Sequence, residues 1–280
     1  MIAQPSREAR VGPERELELH LELRGEGPSI VLQHGFGGSA RNFRPQARAL
    51  GRRFRFVLFD ARGHARSPAP HGPGSYTAER FTEDLAGVLG RVGLARAVVG
   101  GLSMGAGIAL RFALERTERV RGLVLAAFPP GATGAREGAR RQGAWALAFA
   151  DAIDARGLAA AGAEFAWGPR SGLDPAAANL VRQGFLEHAP HAIAGMLREC
   201  LAVQPSAEEL APTLRRLEVP TLLVVGSEDR VSRGTSEVLA RELPRARLVV
   251  VPDAGHVVNL AAPAAFDAAL AEFMDGLRAE

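Results

Sequence analysis

Apolar residues in the first half of the chain fall into short runs, and segments with helical spacing separate these runs. Residues 16–24 alternate, with leucine at positions 17, 19, 21 and 23, which predicts a half-buried strand near a sheet edge. Buried strands are predicted at residues 29–33, 55–59, 97–101 and 122–127. Helices are predicted at residues 41–50, 77–90 and 103–115. This alternation predicts the α/β class, with a mostly parallel central sheet and helices on both faces.

The alternation stops at Pro129. From there to Pro212 the sequence contains no strand-like run, and helical periodicity recurs at residues 139–150, 175–188 and 192–203. Strands return at residues 219–225 and 247–251, and helices at 235–242 and 262–277. Because the helical block falls between two strands of one sheet, we expect it to cover that sheet. The sequence therefore predicts a core domain of residues 1–128 and 213–280 and a helical cap (lid) insertion of residues 129–212.

Composition excludes several kinds of chemistry. The 280-residue chain is 47% apolar and 23% charged, which is ordinary for a globular protein. All 34 of its Lys and Arg residues are arginine. Without a lysine ammonium group, Schiff-base chemistry, pyridoxal-phosphate anchoring and a P-loop are excluded. Cys200 is the single cysteine, so an internal disulfide and a multi-cysteine zinc site are excluded as well.

The charge pattern and hydropathy restrict the expected partners. The net charge is only +3, and the arginines are interleaved with acidic residues, so we expect no nucleic-acid partner. No apolar run reaches the ~20 residues of a membrane span. Residues 1–10 lack the apolar core of a signal peptide. We therefore expect a cytoplasmic protein that acts on a small molecule with an apolar part; the oligomeric state is not readable.

The segment Gly101–Gly105 carries the sharpest chemical signal. It reads Gly-Leu-Ser-Met-Gly, follows a predicted strand and precedes a predicted helix. A serine on such a turn takes a strained backbone conformation and projects its hydroxyl above the sheet, and the flanking glycines avoid clashes with neighbouring backbone. We therefore predict that Ser103 is a nucleophile. The alternative is an ordinary glycine-rich turn.

A serine hydroxyl needs a positioned base to act as a nucleophile. His256 follows the last predicted strand, at the sheet edge where Ser103 is expected, and is the strongest candidate. His34 and His64 belong to the same edge, but they precede the serine, against the expected order of serine, acid and histidine. Two more candidates, which could reach the pocket from the helical block, are His188 and His191.

The base in turn needs a carboxylate that fixes its tautomer and stabilises its charged form. The strand predicted at residues 219–225 is followed by Gly-Ser-Glu-Asp, which places Glu228 and Asp229 at the right edge. We favour Asp229, because the turn that opens at Gly226 gives its side chain room to point back over the sheet. Glu228 remains the alternative.

Charge that develops on a carbonyl oxygen during acyl transfer must be met by fixed hydrogen-bond donors. The backbone N–H of Met104, directly after the predicted nucleophile, is one candidate. The glycine-rich loop of residues 34–39 should supply the other, and Phe36 is the candidate there, because the glycines let the backbone approach the substrate.

Five stretches together resemble the α/β-hydrolase family, and within it the branch of esterases, enol-lactonases, cofactor-free haloperoxidases and carbon–carbon bond hydrolases. They are residues 34–36, 60–67, 101–105, 226–229 and 255–256. The similarity extends from about residue 16 to residue 278. It implies Ser103, Asp229 and His256 as a catalytic triad and the amides of Phe36 and Met104 as an oxyanion hole. It also implies that neither a metal nor an organic cofactor is needed.

Two departures from the family pattern bear on the subgroup. Serine rather than aspartate stands at position 103, which argues against haloalkane dehalogenases and epoxide hydrolases of this fold. Ala106 stands where many members have glycine. The expected activity is hydrolysis of a small carboxylic ester or lactone through an acyl-enzyme. The alternatives are a carbon–carbon bond hydrolase of a ring-fission diketone and a non-catalytic ligand receptor on the same fold.

A competing hypothesis is dinucleotide binding. Residues 35–40 have the spacing of a dinucleotide-binding loop, and Asp60 ends the next strand, where a ribose-binding acid would stand. This hypothesis leaves the later serine, acid and histidine unexplained, so we favour the hydrolase.

Aromatic residues in the predicted cap are candidates for substrate binding. Trp145, Trp167 and Phe185 could form an apolar wall for the part of the substrate that does not react. Packing of the cap helices against each other and the sheet is the alternative for each of them. Candidates for contact with a substrate carboxylate are Arg140, Arg141 and Arg170.

Overall fold

A computed structural model of the chain describes residues 17–129, 136–169 and 175–279. Its sheet has seven strands in the order β1-β3-β2-β4-β5-β6-β7. The strands are β1 Leu21–Arg24, β2 Ser29–Gln33, β3 Arg55–Phe59, β4 Ala97–Leu102, β5 Val120–Ala126, β6 Thr221–Gly226 and β7 Ala246–Val251. Strand β1 pairs antiparallel with β3, and all other neighbours are parallel. The predicted α/β class and mostly parallel sheet are confirmed.

Helices cover both faces of this sheet. They are α1 Arg44–Leu50, α2 Ala78–Arg91, α3 Met104–Glu115, α4 Arg136–Phe165, α5 Pro175–Phe185, α6 Pro190–Met196, α7 Ala207–Leu214, α8 Arg230–Glu242, α9 Val258–Ala261 and α10 Pro263–Ala279. Successive side chains of a strand point to opposite faces. In β2, Val31 belongs to the apolar cluster that contains residues of α2 and α3. Its neighbours Ile30 and Leu32 belong to the cluster that contains residues of α1 and α10.

The edge strand differs from its sequence prediction. Alternation predicted a strand over residues 16–24, but β1 begins only at Leu21. Its Leu23 side chain is 52% exposed, although the alternation placed it on the buried face. Leu19, which precedes the strand, is buried in the core. Strand β1 pairs with β3 alone, at the edge of the sheet. The alternating leucines therefore do not all face the core: Leu19 is buried before the strand begins, and Leu23 is exposed within it.

Helices α4–α7 lie between β5 and β6, and all but the end of α7 falls within the block that the sequence predicted as a cap. Helix α4 contains one non-helical residue, Gly157, whose φ is 78°. Helix α6 continues into a π-helical turn, Leu197–Leu201. Helix α7 extends to Leu214, across the predicted boundary at residue 212. In the part of the chain that the structure describes, no helix combines the length and apolar character needed to cross a membrane. We call α4–α7 the inserted helices.

The inserted helices are hydrogen-bonded to the loop that precedes α2. The Glu199 carboxylate, from the π-helical turn, accepts hydrogen bonds from the backbone N–H groups of Gly74 at 3.0 Å and Tyr76 at 2.7 Å. Below this loop, Arg62 and Asp84 form a buried ion pair, in which Nε and Oδ2 are 2.6 Å apart. Arg62 also donates to the Ser75 carbonyl at 2.7 Å. Glu199 thus attaches the inserted helices to this loop, and Arg62 connects the loop to α2.

The close approach of β2 to the start of α3 generates a stability prediction. A Cβ atom at Gly105 would lie 2.3 Å from the Gln33 carbonyl oxygen and 2.6 Å from the His34 carbonyl oxygen. Backbone cannot move aside as a flexible side chain can, so we expect Gly105→Ala to lower the free energy of unfolding by about 2 kcal/mol or more. Urea unfolding followed by circular dichroism measures it.

The matched control is Gly90→Ala. Gly90 lies in α2, is exposed, and has open space where a Cβ would stand. Because alanine is the better helix former, this variant should be neutral or more stable by up to about 1 kcal/mol. Equal stability of the two alanine variants would contradict the argument from close approach.

Candidate active site

Ser103 lies on the turn between β4 and α3, at the carboxyl edge of the sheet. Its φ of 52° and ψ of −114° fall outside the regions that non-glycine residues normally occupy. Its backbone N–H donates to the Ala126 carbonyl at 2.8 Å, which anchors the turn to β5. Gly101 and Gly105 both lie against the backbone of Gln33. The strained turn predicted from the sequence is therefore present, and its side chain is partly exposed.

Asp229 and His256 meet at the same edge. Asp229 caps α8, and its Oδ1 accepts from Ser232 N–H at 3.2 Å. Its Oδ2 lies 2.6 Å from His256 Nδ1. A close approach brings the two turns together, because a Cβ at Gly226 would lie only 2.0 Å from the Ala254 carbonyl oxygen. The structure thus brings these two predicted site residues into contact across 27 residues of chain.

The electrostatics of the pair favour a charged carboxylate. Burial alone would raise the pKa of Asp229, but the hydrogen bond and charge of His256 and the hydrogen bonds of Ser232 lower it more, so the pKa lies below its ordinary value. A carboxylate beside Nδ1 fixes the proton on that nitrogen and leaves Nε2 as the acceptor. The His256 side chain is 42% exposed.

Ser103 is not hydrogen-bonded to this pair. Among the residues that the structure describes, no hydrogen bond joins the Ser103 hydroxyl to His256. The sequence analysis missed Ser232, whose Oγ lies 3.4 Å from His256 Nδ1 and which is buried. No signal in the sequence marked it, because it lies inside a helix among ordinary polar residues. Two members of the predicted triad are therefore in contact, and the third shares their sheet edge.

The loop of residues 34–39 passes directly beside Ser103. A Cβ at Gly35 would lie 3.4 Å from the Ser103 Cβ. Gly38 N–H donates to the Gly35 carbonyl at 3.0 Å and closes a turn with Phe36 and Gly37 at its centre. Within the described part of the chain, the backbone N–H groups of Phe36 and Met104 have no hydrogen-bond acceptor. Two unpaired donors therefore belong to the segments that border the serine.

The alternative bases and acid are engaged elsewhere. His34 and His64 are fully buried, and both ring nitrogens of each lie within hydrogen-bond distance of backbone atoms. His191 Nε2 lies 3.2 Å from the Ala69 carbonyl oxygen. Glu228 accepts from the Ser227 hydroxyl at 3.2 Å, and among the described residues it is Asp229, not Glu228, that contacts the imidazole of His256.

Asp60 does not offer a ribose site. It is fully buried, and its Oδ1 accepts from Ala40 N–H at 2.7 Å. Its Oδ2 accepts from Arg66 Nε at 2.8 Å. Burial raises the pKa of Asp60, but the hydrogen bonds from Arg66 and Ala40 and the charge interaction with His34 lower it by more, so the pKa lies below its ordinary value. Its oxygens are used within the protein, which counts against the dinucleotide hypothesis.

The aromatic residues proposed for substrate binding join the inserted helices to the loop of residues 34–39. The Phe185 ring packs on Gly37 and lies 5.3 Å from the Phe36 ring. Trp167 lies 5.8 Å from Phe185, and both are buried. Trp145 is partly buried and contacts the Phe149 ring at 5.7 Å. These contacts are between side chains of the protein itself, so contact of the three residues with a substrate stays a prediction.

Three arginines are candidates for contact with a substrate carboxylate, and this contact stays a prediction. Arg140 and Arg141 are exposed on α4. Arg170 lies outside the described residues.

Known proteins resemble the chain over nearly its full length. A pimeloyl-[acyl-carrier protein] methyl ester esterase of Nitrosomonas europaea is 29% identical over 258 residues, which are 89% of this chain and 96% of the relative. The solved structure of a thermophilic esterase from Thermogutta terrifontis superposes with a TM-score of 0.81 and 28% identity, covering 95% of this chain and 96% of that one. An enol-lactonase from Burkholderia xenovorans gives 0.78 and 26%, covering 93% and 99%.

The family model for the alpha/beta hydrolase fold matches residues 28–263. This match includes the strained serine turn, the loop beside it, the inserted helices and the Asp229–His256 pair. The chain therefore belongs to the α/β-hydrolase family.

Proposed function

We propose that the protein is a serine hydrolase that cleaves a small carboxylic ester or lactone through an acyl-enzyme. The observation that carries the proposal is the common sheet edge of Ser103 and the Asp229–His256 pair, in which the carboxylate and imidazole are 2.6 Å apart. Each group has a chemical task. Ser103 attacks the carbonyl carbon, His256 accepts its proton, and Asp229 holds the imidazole in the required tautomer.

The unpaired backbone donors complete the reaction site. The tetrahedral intermediate carries a negative oxygen, and the N–H groups of Phe36 and Met104 are proposed to stabilise it. His256 then protonates the leaving group and activates water, which releases the acid product and restores Ser103. Hydrogen bonds of catalytic groups are often long without substrate. The separation of Ser103 from His256 is therefore compatible with this sequence of steps.

The names of three similar proteins support an ester or lactone substrate. Those reported above are an esterase of a carrier-bound methyl ester, a thermophilic esterase and an enol-lactonase. Linear and cyclic carboxylic esters both pass through the same oxyanion intermediate, so one site can serve either. We propose that residues 129–212 act as a cap and that Trp145, Trp167 and Phe185 contribute to its apolar lining.

A non-catalytic ligand receptor is the second candidate. The missing hydrogen bond between Ser103 and His256 favours it, because a receptor needs no activated nucleophile. Turnover separates the two hypotheses. A panel of p-nitrophenyl esters of increasing acyl length, aryl lactones, enol lactones and a coloured ring-fission diketone should show ester or lactone hydrolysis. Cleavage of the diketone alone would instead favour carbon–carbon bond hydrolysis, and no turnover would favour the receptor.

We expect Ser103→Ala and His256→Ala each to lower kcat for p-nitrophenyl butyrate by roughly 10⁴-fold or more. Both variants should fold, because neither side chain fills the core. Phenylmethanesulfonyl fluoride should label the wild type at Ser103, and peptide mass spectrometry identifies the residue. His71→Ala is the matched control, because His71 is an exposed histidine outside the site. Wild-type turnover in a folded Ser103→Ala variant would refute the proposal.

Asp229→Asn tests the acid. Asparagine keeps the shape of the side chain but loses the charge and can stabilise the wrong imidazole tautomer, so kcat should fall by roughly 10³-fold or more. Glu228→Gln is the control from the neighbouring position and should change kcat less than threefold. The reverse ranking of the two variants in steady-state kinetics would assign the acid to Glu228.

A further inference from the structure

Three buried imidazoles outside the proposed triad form a row that begins in the loop of residues 34–39. His34 and His64 are fully buried, and His188 is 6% exposed. The ring centroids of His34 and His64 are 4.6 Å apart, and those of His64 and His188 are 5.0 Å apart. The first two follow β2 and β3, and the third lies between α5 and α6 of the inserted helices. The proposed mechanism uses none of these side chains.

His64 holds the backbone of Gly37. Gly37 N–H donates to His64 Nε2 at 3.2 Å, so that nitrogen must be unprotonated. The opposite nitrogen, Nδ1, lies 3.0 Å from the Arg62 carbonyl oxygen and donates to it. These two bonds fix both the tautomer and the orientation of the ring. An imidazolium would have no lone pair to offer Gly37.

The residue held in this way follows the proposed oxyanion donor directly. Phe36 and Gly37 are the two central residues of the turn closed by Gly38 N–H and the Gly35 carbonyl. The φ of Gly37 is 70°. The Gly37 N–H belongs to the central peptide of this turn, and only the Phe36 Cα separates that peptide from the one that carries the Phe36 N–H. An acceptor that holds Gly37 therefore holds the position of the turn, and with it the position of the neighbouring donor.

His188 holds the segment that carries His64. Its Nδ1 accepts from Ala65 N–H at 2.9 Å. Ala65 has a φ of 43°, which a residue with a side chain rarely adopts and which needs support from its surroundings. The next residue toward the N-terminus, Glu187, forms an ion pair with Arg41. Residues 187 and 188 thus attach the inserted helices to two places: the segment that carries His64, and Arg41, which follows the loop of residues 34–39.

The surroundings keep these imidazoles neutral. Burial lowers the pKa of His34 to about 4 and that of His64 well below its ordinary value. Burial also lowers the pKa of His188, although the Gly37 backbone and the charges of Glu187 and Asp60 oppose the shift and Arg41 supports it. At neutral pH the acceptor nitrogens are therefore available.

We propose that His64 is a positioning residue for the reaction: its Nε2 fixes the turn that presents the Phe36 amide, and His188 fixes His64 from the inserted helices. The proposal rests on the proposed function, because it needs Phe36 to serve as an oxyanion donor. It assigns the inserted helices a part in transition-state stabilisation, in addition to covering the substrate.

Amide side chains can replace one imidazole nitrogen at a time. The asparagine amide occupies the place of Nδ1, and the glutamine amide that of Nε2. At position 64 the essential acceptor is Nε2, so His64→Gln should preserve it and His64→Asn should not. At position 188 the essential acceptor is Nδ1, so the preference reverses. A generic loss of packing would not produce opposite preferences at two neighbouring sites.

The experiment measures kcat and KM for p-nitrophenyl butyrate and the inhibition constant of phenylboronic acid, which forms a tetrahedral anion on serine. We expect His64→Asn to lower kcat about tenfold and to weaken boronate binding by a similar factor, with KM changed less than threefold; complete loss of one oxyanion donor costs ~10²–10³. His64→Gln and His188→Asn should stay within about threefold of wild type. His188→Gln should lose kcat several-fold. Urea unfolding confirms that each variant is folded.

Ser103→Ala is measured in parallel and separates the two proposals. If it keeps full turnover, the proposed function fails and the positioning role fails with it. If it is inactive while the Asn and Gln variants have equal kcat at both positions, only the positioning role is overturned. Should His64→Asn not fold, the His188 pair decides, and equal kcat within that pair overturns the role.

Discussion

The close approach of the β2 backbone to the turn between β4 and α3 is the constraint on which the site depends. The carbonyl oxygens of Gln33 and His34 occupy the space that side chains at Gly101 and Gly105 would need. Because these positions are glycine, α3 can begin directly against the end of β2. That contact holds Ser103 in its strained conformation and places the loop of residues 34–39 beside its hydroxyl. The strain is thus a consequence of packing around the turn, and the core stabilises it.

The Asp229–His256 pair is built in a different way. Its two turns follow neighbouring parallel strands, β6 and β7, so the sheet itself brings them to one edge. Close backbone packing at Gly226 sets their spacing, and a hydrogen bond of 2.6 Å fixes the ring. The imidazole remains partly exposed to solvent. A fixed but accessible base can receive a proton from Ser103 and later give it to a leaving group, which a buried imidazole such as His34 cannot do.

The sequence predicted what depends on local pattern and on strand order. Continuous apolar runs located β2 and β3 to the residue, and the rule that parallel strands end at one edge placed Asp229 near His256. The prediction that Leu23 is buried was wrong, because alternation does not show which part of an edge segment pairs with the sheet. Helix α9 has four residues, too few for a periodic signal. The contact of Phe185 with Gly37 joins residues 148 positions apart, and only the folded chain shows it.

The segment between β3 and α2 explains why the inserted helices can influence the chemistry below them. Arg62 anchors this segment to α2 through its buried ion pair with Asp84, and the buried Asp60 carboxylate accepts from the Ala40 backbone N–H. Breaking a buried ion pair costs several kcal/mol, so the segment has little freedom of its own. Because the segment is held in place, the His64 ring on it has a fixed position relative to Gly37. Contacts from the inserted helices reach both this segment and the loop beside Ser103, so the proposal above implies that a shift of those helices moves the Phe36 amide relative to Ser103.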